Sequence, residues 1–184
     1  MTSKRQTAFM AAYQPCHEAF LRYCHALSYG RMDTEDLVQD VLLSAYLHFD
    51  SIRKKQDLLH YLIRAAKNRS ASWWRKRKFR TELIDLHNDQ LRDKGVSAEV
   101  MVDIQILYKA LDELPVKQRD ALILFEINGF SMKEIAALQD RSVGAIKTTI
   151  SRGRTKLGEL LSDHPSSPDR PVHHFFQLAK SIAL

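Results

Sequence analysis

Lys147, Thr148, Ser151, Arg152, Arg154 and Thr155 are cations and hydroxyls spaced to share one side of a helix turning about 100° per residue. Ile146, Ile150, Gly153, Leu157, Leu160 and Leu161 fall on the other side, all within about 60° of Ile146. Guanidinium and ammonium groups pair with guanine edges and phosphates, and hydroxyls bond to any base edge, so the first set could read duplex DNA through its major groove. A helix that reads DNA must be held by a second one, and the residues before it provide that. Ser131 and Glu134 form an S-x-x-E capping box. Ile135 and Leu138 are the apolar positions of the short helix it opens, Gln139, Asp140 and Arg141 fill the turn, and Ser142 caps the second helix. This is the pattern of a helix-turn-helix. An amphipathic surface helix with solvated charges would account for any one of these cations, but not for two capped helices with sorted faces.

The charge of the whole chain points the same way. Its net charge is +6 over 184 residues, and residues 51–80 contain eleven Lys/Arg against one acid, Asp57. A field so concentrated suits a polyanion. A solvated basic tail would also be charged, but this segment carries Leu58, Leu59, Tyr61, Leu62, Ile63, Trp73 and Trp74, which a disordered tail would leave exposed. Trp73 and Trp74 point about 100° apart on a helix, so one is expected in the core and one on the surface. Residues 81–114 reverse the sign, with eight acids against three bases. Cys16 and Cys24 are too far apart along one helix for a disulfide. Each precedes a histidine, which leaves a metal or redox site open, but small buried hydrophobes are the simpler reading. No apolar run approaches the ~18 residues of a membrane span. The N-terminal MTSKRQTAFMAAY lacks the apolar core of a signal peptide, so a cytoplasmic, nucleoid-associated protein with no membrane insertion is expected.

Scarce Gly and Pro and no strand alternation predict an all-α chain of two small helical domains joined by a flexible linker, the C-terminal one a helix-turn-helix. A helix over 7–29 ends at Gly30, Asp33 caps a second helix running to about Phe49, and a third runs from Asp57 toward Lys78. These make an N-terminal domain over 1–80. The polar stretch 81–99 loses periodicity and is expected to be the linker. Periodicity resumes at Val100, and a C-terminal domain is expected over 100–162, with Pro115 opening a helix that Asn128-Gly129 ends. The tail 163–184 has no assigned role. Its SDHPSSPDRP stretch is not core-forming, and VHHFFQLAKSIAL has the pattern of a short amphipathic helix.

The second helix carries another constellation. Asp36, Gln39, Asp40, Leu43 and Leu47 share one face, and Val38, Val41, Leu42, Ala45 and Phe49 share the opposite, core face. An acidic face edged with leucine repels DNA and suits a protein partner. The succession EDLVQDVLLSAY, DLLHYLIRAAKNRSASWWRKRKFR, an acidic linker, ALDELPVKQRDALILFEINGFSMKEIA and SVGAIKTTISRGRTKL resembles bacterial sigma factors of the extracytoplasmic-function group, within the sigma-70 family, over about residues 10 to 161.

The resemblance implies an RNA polymerase sigma factor that directs promoter-specific initiation, with core polymerase (clamp coiled coil and flap), promoter DNA and an anti-sigma factor as partners. It implies that Asp36, Gln39, Asp40 and Leu43 dock on polymerase. Tyr61, Asn68, Trp73, Trp74, Arg75, Arg77 and Lys78 would meet the −10 strand, and Ser142, Lys147, Thr148, Ser151, Arg152 and Arg154 the −35 element. The chain departs from the family pattern at Tyr61, where Trp is usual, Ser72, where Asp is usual, Asp140, where the turn has Gly, and Arg141, where an apolar residue is usual. No catalytic residue, metal ligand or cofactor is expected. A free-standing helix-turn-helix regulator would explain only the C-terminal half. A DNA-modifying enzyme would need paired carboxylates, an activated nucleophile or a phosphate loop, none of which is evident.

Overall fold

A computed structural model describes residues 2–52, 57–74, 81–93, 95–162 and 171–182. Among them there is helix and no strand. The chain divides into two compact units, Met1–Leu83 and Ile84–Leu184.

The first unit begins with α1 (Thr2–Tyr13) and α2 (His17–Ser28), which were expected as one helix. They are separated by a single 3₁₀ turn, Gln14–Cys16. Pro15 is the cause, since its ring displaces the carbonyl a turn earlier and it has no N–H to donate. Gly30 ends the segment at φ 66°, a left-handed position that glycine takes without strain. Helix α3 (Thr34–Leu47) opens on Asp33, whose Oδ1 accepts the N–H groups of Glu35 at 2.8 Å and Asp36 at 3.1 Å. Its far end is closed from another helix. Arg5 Nη2 donates to the carbonyls of Tyr46 at 2.8 Å and Leu47 at 3.0 Å, placing a cation at a helix C-terminus. Helix α4 (Leu58–Trp74) packs against α2 and α3, burying Leu58, Leu62, Ile63 and Ala66.

The stretch expected as a linker is helical over most of its length: α5 spans Thr81–Asp93. Ile84, His87 and Leu91 are its buried residues, at i, i+3 and i+7. A histidine fills an apolar position, which hid the period. Gly95, at φ 79°, stops the helix. Its N–H reaches Arg92 O at 2.8 Å and that of Val96 reaches Leu91 O at 3.1 Å, a Schellman closure.

In the second unit, α6 (Ala98–Glu113) leads through Pro115 to α7 (Val116–Leu122), which continues as a π-helical turn, Ile123–Ile127. Every residue from Arg119 to Leu124 is buried, so this is the central helix, with neighbours on all sides. Arg119 lies 3.5 Å from Asp112 and 4.0 Å from Asp120, an ion cluster taken out of water. After Gly129 come α8 (Met132–Gln139) and α9 (Val143–Ser162). The tail, expected to stand outside the folded domain, supplies α10 (Val172–Ile182), which packs on α6, α9 and the π turn and fully buries Phe175 and Ala179. Its amphipathic pattern was readable in the sequence; the apolar surface it covers, about seventy positions earlier on α6, was not.

Candidate nucleic-acid interface

The turn between α8 and α9 fixes where the recognition helix points. The capping box forms in both directions: Glu134 N–H donates to Ser131 Oγ at 3.2 Å, and Ser131 N–H donates to Glu134 Oε2 at 2.8 Å. Asp140 then takes φ 52°, ψ 54°, alone among the described non-glycine residues in having a positive φ. The chain turns there although the usual glycine is absent. Arg141 replaces an apolar residue by folding back: its Nη1 donates to Thr149 Oγ1 at 3.0 Å, tying the turn to the second turn of α9. Ser142 Oγ accepts the N–H of Ala145 at 3.2 Å and opens α9 as expected.

Burial sorts α9 as its spacing predicts. Ile146, Ile150, Gly153, Leu157 and Leu161 are buried and Leu160 is half-buried. Ser142, Lys147, Thr148, Ser151, Arg152, Arg154 and Thr155 are exposed. Gly153 sets the depth of the helix: a Cβ there would stand 3.1 Å from Leu122 Cδ1 and 3.4 Å from Gln118 Cβ, so α7 and α9 approach more closely than any side chain would allow. Arg154 differs from its neighbours. Its Nε donates to Glu126 Oε1, and its guanidinium lies 5.2 Å from the centre of the Phe125 ring. It is therefore engaged within the domain, whereas Lys147 and Arg152 project from the open face.

In the first unit, Asp36, Gln39, Asp40, Leu43 and Leu47 all face solvent on α3, with Leu43 and Leu47 about 60% exposed (59% and 61%). Behind them Leu37, Val41 and Ala45 are buried, and Val38 and Leu42 are half-buried. An open cleft of about 950 Å³ runs between α3 and α4, and Tyr61 and Asn68 line it together with Asp40 and Ser44. Tyr61 Oη lies 3.4 Å from Ser44 Oγ, so the tyrosine that stands where the family usually has Trp is held at the cleft wall by its hydroxyl. Trp73 and Trp74 form the last turn of α4. Their side chains, like Arg75, Arg77 and Lys78, lie outside the described residues.

Two features escaped the sequence. Arg69 Nε lies 3.2 Å from Asp40 Oδ2, a contact between helices that no single-helix pattern reveals. The Glu126–Arg154 pair likewise joins residues 28 positions apart. Cys16 and Cys24 are buried free thiols, and burial pushes both of them up from the ordinary thiol range. Among the described residues no group of three His, Cys, Asp or Glu could hold a metal ion, and no helix is long and apolar enough to cross a membrane.

The sigma-70 region 2 family model matches residues 9–80 and the sigma-70 region 4 model matches residues 104–157. The chain belongs to the extracytoplasmic-function sigma factors. It is 35% identical to the ECF RNA polymerase sigma factor EcfG of Rhodopseudomonas palustris over 69% of this chain and 70% of that one. To the RNA polymerase sigma-E factor of Streptomyces avermitilis it is 34% identical over 78% and 79%. Among solved structures it resembles the sigma factor RpoE of Bartonella quintana, determined in complex with the anti-sigma factor NepR, with a TM-score of 0.62, 30% identity, and coverage of 85% of this chain and 98% of that one. As a sigma factor it is the subunit that joins core RNA polymerase to promoter DNA at initiation. Region 4 coincides with the helix-turn-helix, and region 2 takes in both the acidic face of α3 and the cleft. Helix α10 lies beyond the region 4 match.

Proposed function

We propose a division of labour among three surfaces of this sigma factor. The outer face of α3, with Asp36, Gln39, Asp40 and Leu43, docks on the clamp coiled coil of core polymerase. The cleft and the end of α4, with Tyr61, Asn68, Trp73, Trp74, Arg75, Arg77 and Lys78, hold the −10 strand as it opens. The open face of α9 reads the −35 element through Lys147, Thr148, Ser151 and Arg152, with Ser142 at its start. Strand capture needs cations along a single-stranded backbone and flat or amide groups for unstacked bases, and α4 supplies both types. Arg154 has the weakest claim to a base contact, since Glu126 already takes its charge. We further infer that an anti-sigma factor holds the chain inactive and that it works at the nucleoid; support for the first is the likeness to RpoE, a sigma factor solved with such a partner.

The observation that carries the reading is the α3 face. Two acids and two leucines lie open to solvent on the unit that also carries the basic α4, and a surface of that sign and greasiness fits a basic protein rather than DNA. Asp36→Lys with Asp40→Lys sets like charge against that partner, which costs several kcal/mol. Core-polymerase binding and promoter-directed transcription in vitro should be lost together. The circular-dichroism melt should barely shift, because exposed substitutions move stability by only about 0.5 kcal/mol. A folded double variant that still co-purifies with core polymerase at wild-type affinity rules out α3 as the docking helix. Tight duplex-promoter binding without polymerase would instead favour a free-standing regulator.

A further inference from the structure

The cleft between α3 and α4 contains a cation that none of the three surfaces uses. Arg69 follows Asn68 on α4 and lines the same cleft, with Tyr61 and Arg64 on the same helix. Its Nε is 3.2 Å from Asp40 Oδ2, and Asp40 belongs to the exposed face of α3. One ion pair thus joins the face that meets polymerase to the cleft that meets DNA. While the pair is closed, Arg69 offers little to a phosphate, because the carboxylate beside it cancels its field and repels the same ligand. Both side chains are about half exposed, at 50% and 53%, so the pair is weak and exchangeable; pairs of this kind are worth up to about five-fold in an equilibrium. A basic protein surface that takes the Asp40 carboxylate removes both the partner and the repulsion.

We propose that Arg69 is a DNA-strand contact armed by docking: core polymerase draws Asp40 away, and the released guanidinium turns to a phosphate of the strand in the cleft. The proposal rests on the reading of α3 as the docking helix and the cleft as the strand site. Linkage makes it reciprocal, so that a strand engaging Arg69 frees Asp40 for polymerase.

The test uses the full-length chain, with a fluorescently labelled single-stranded oligothymidylate as probe at low salt. Asp40→Asn should raise its affinity for the probe about two- to five-fold, the range of an exposed ion pair. Adding Arg69→Gln should abolish the gain. A gain that persists in the double variant means Asp40 acts only as a repelling charge and overturns the proposal, as does no gain in the single one. Arg69→Gln alone should bind core polymerase about two- to five-fold more tightly, because nothing then competes for Asp40. Unchanged or weaker binding overturns the hand-over, weaker binding marking Arg69 as a brace for the docking face. The Asp36→Lys/Asp40→Lys variant separates the two levels. Should it keep wild-type core affinity, the docking reading and the arming both fail, while the probe arm, which contains no polymerase, still decides whether Arg69 contacts a strand.

Discussion

Helices α3 and α9 are built alike and face opposite partners. Each opens on a side-chain cap, Asp33 for one and Ser142 for the other, and each buries an apolar back. The fronts differ in two ways. That of α3 combines acids with the exposed leucines Leu43 and Leu47; that of α9 combines cations with small hydroxyls, its only exposed large hydrophobic residue being Val143 in the first turn. The sign of the charge alone would not separate partner from solvent, since charged fronts are common. The leucines decide it for α3, because apolar surface left open beside charge marks a protein contact. For α9 the decisive feature is smallness: Gly144, Thr148 and Ser151 let the backbone approach a groove that bulky side chains would hold off.

The largest test of this parallel concerns what lies behind α9. Its back rests on α7, whose Arg119 is buried against Asp112 and Asp120. Arg119→Met should cost about 3–5 kcal/mol, because it strands buried carboxylates without a counter-charge. Urea denaturation of the full chain reads it, and a loss under 1 kcal/mol would mean the cluster is solvated. Next comes the front of α9. Arg152→Ala should weaken −35 duplex binding by about 1–3 kcal/mol if the guanidinium reads a guanine. A loss uniform across sequences, with the salt slope lowered by about one, would make it a phosphate contact. Lys147→Ala/Arg152→Ala with affinity and selectivity both intact would break the parallel with α3 altogether. The smallest effect sharpens the account of the turn. Asp140→Gly relieves a left-handed residue and should stabilise the chain by up to about 1 kcal/mol, raising the melting temperature without altering promoter selectivity.

How legible each region was depended on the range of the interactions that make it. The capping box, the turn and the two faces of α9 all arise from residues within one or two turns of each other, and the sequence pattern displays them. The faces of α3 were legible for the same reason. Helix α5 was hidden because His87 holds an apolar place, so the i, i+3, i+7 spacing of Ile84, His87 and Leu91 read as polar. The seat of α10 was hidden because its contacts, such as His174 to Asp103 at 3.8 Å, cross the whole second unit. The Asp40–Arg69 and Glu126–Arg154 pairs were hidden likewise: charges on separate helices show no spacing that relates them.

The π turn at Ile123–Ile127 bears on which insertions and deletions this chain can accept. Asn128 N–H reaches Ile123 O at 3.0 Å, five residues back where an α-helix would span four. The turn accommodates one more residue than a regular helix of the same rise. Removing a residue from this stretch would restore ordinary winding, yet everything after it would be rephased by about 100°. Gly129, the Ser131 cap and the whole reading head would then leave α7 at a different azimuth. A lineage that lost that codon would keep its helix and lose its promoters.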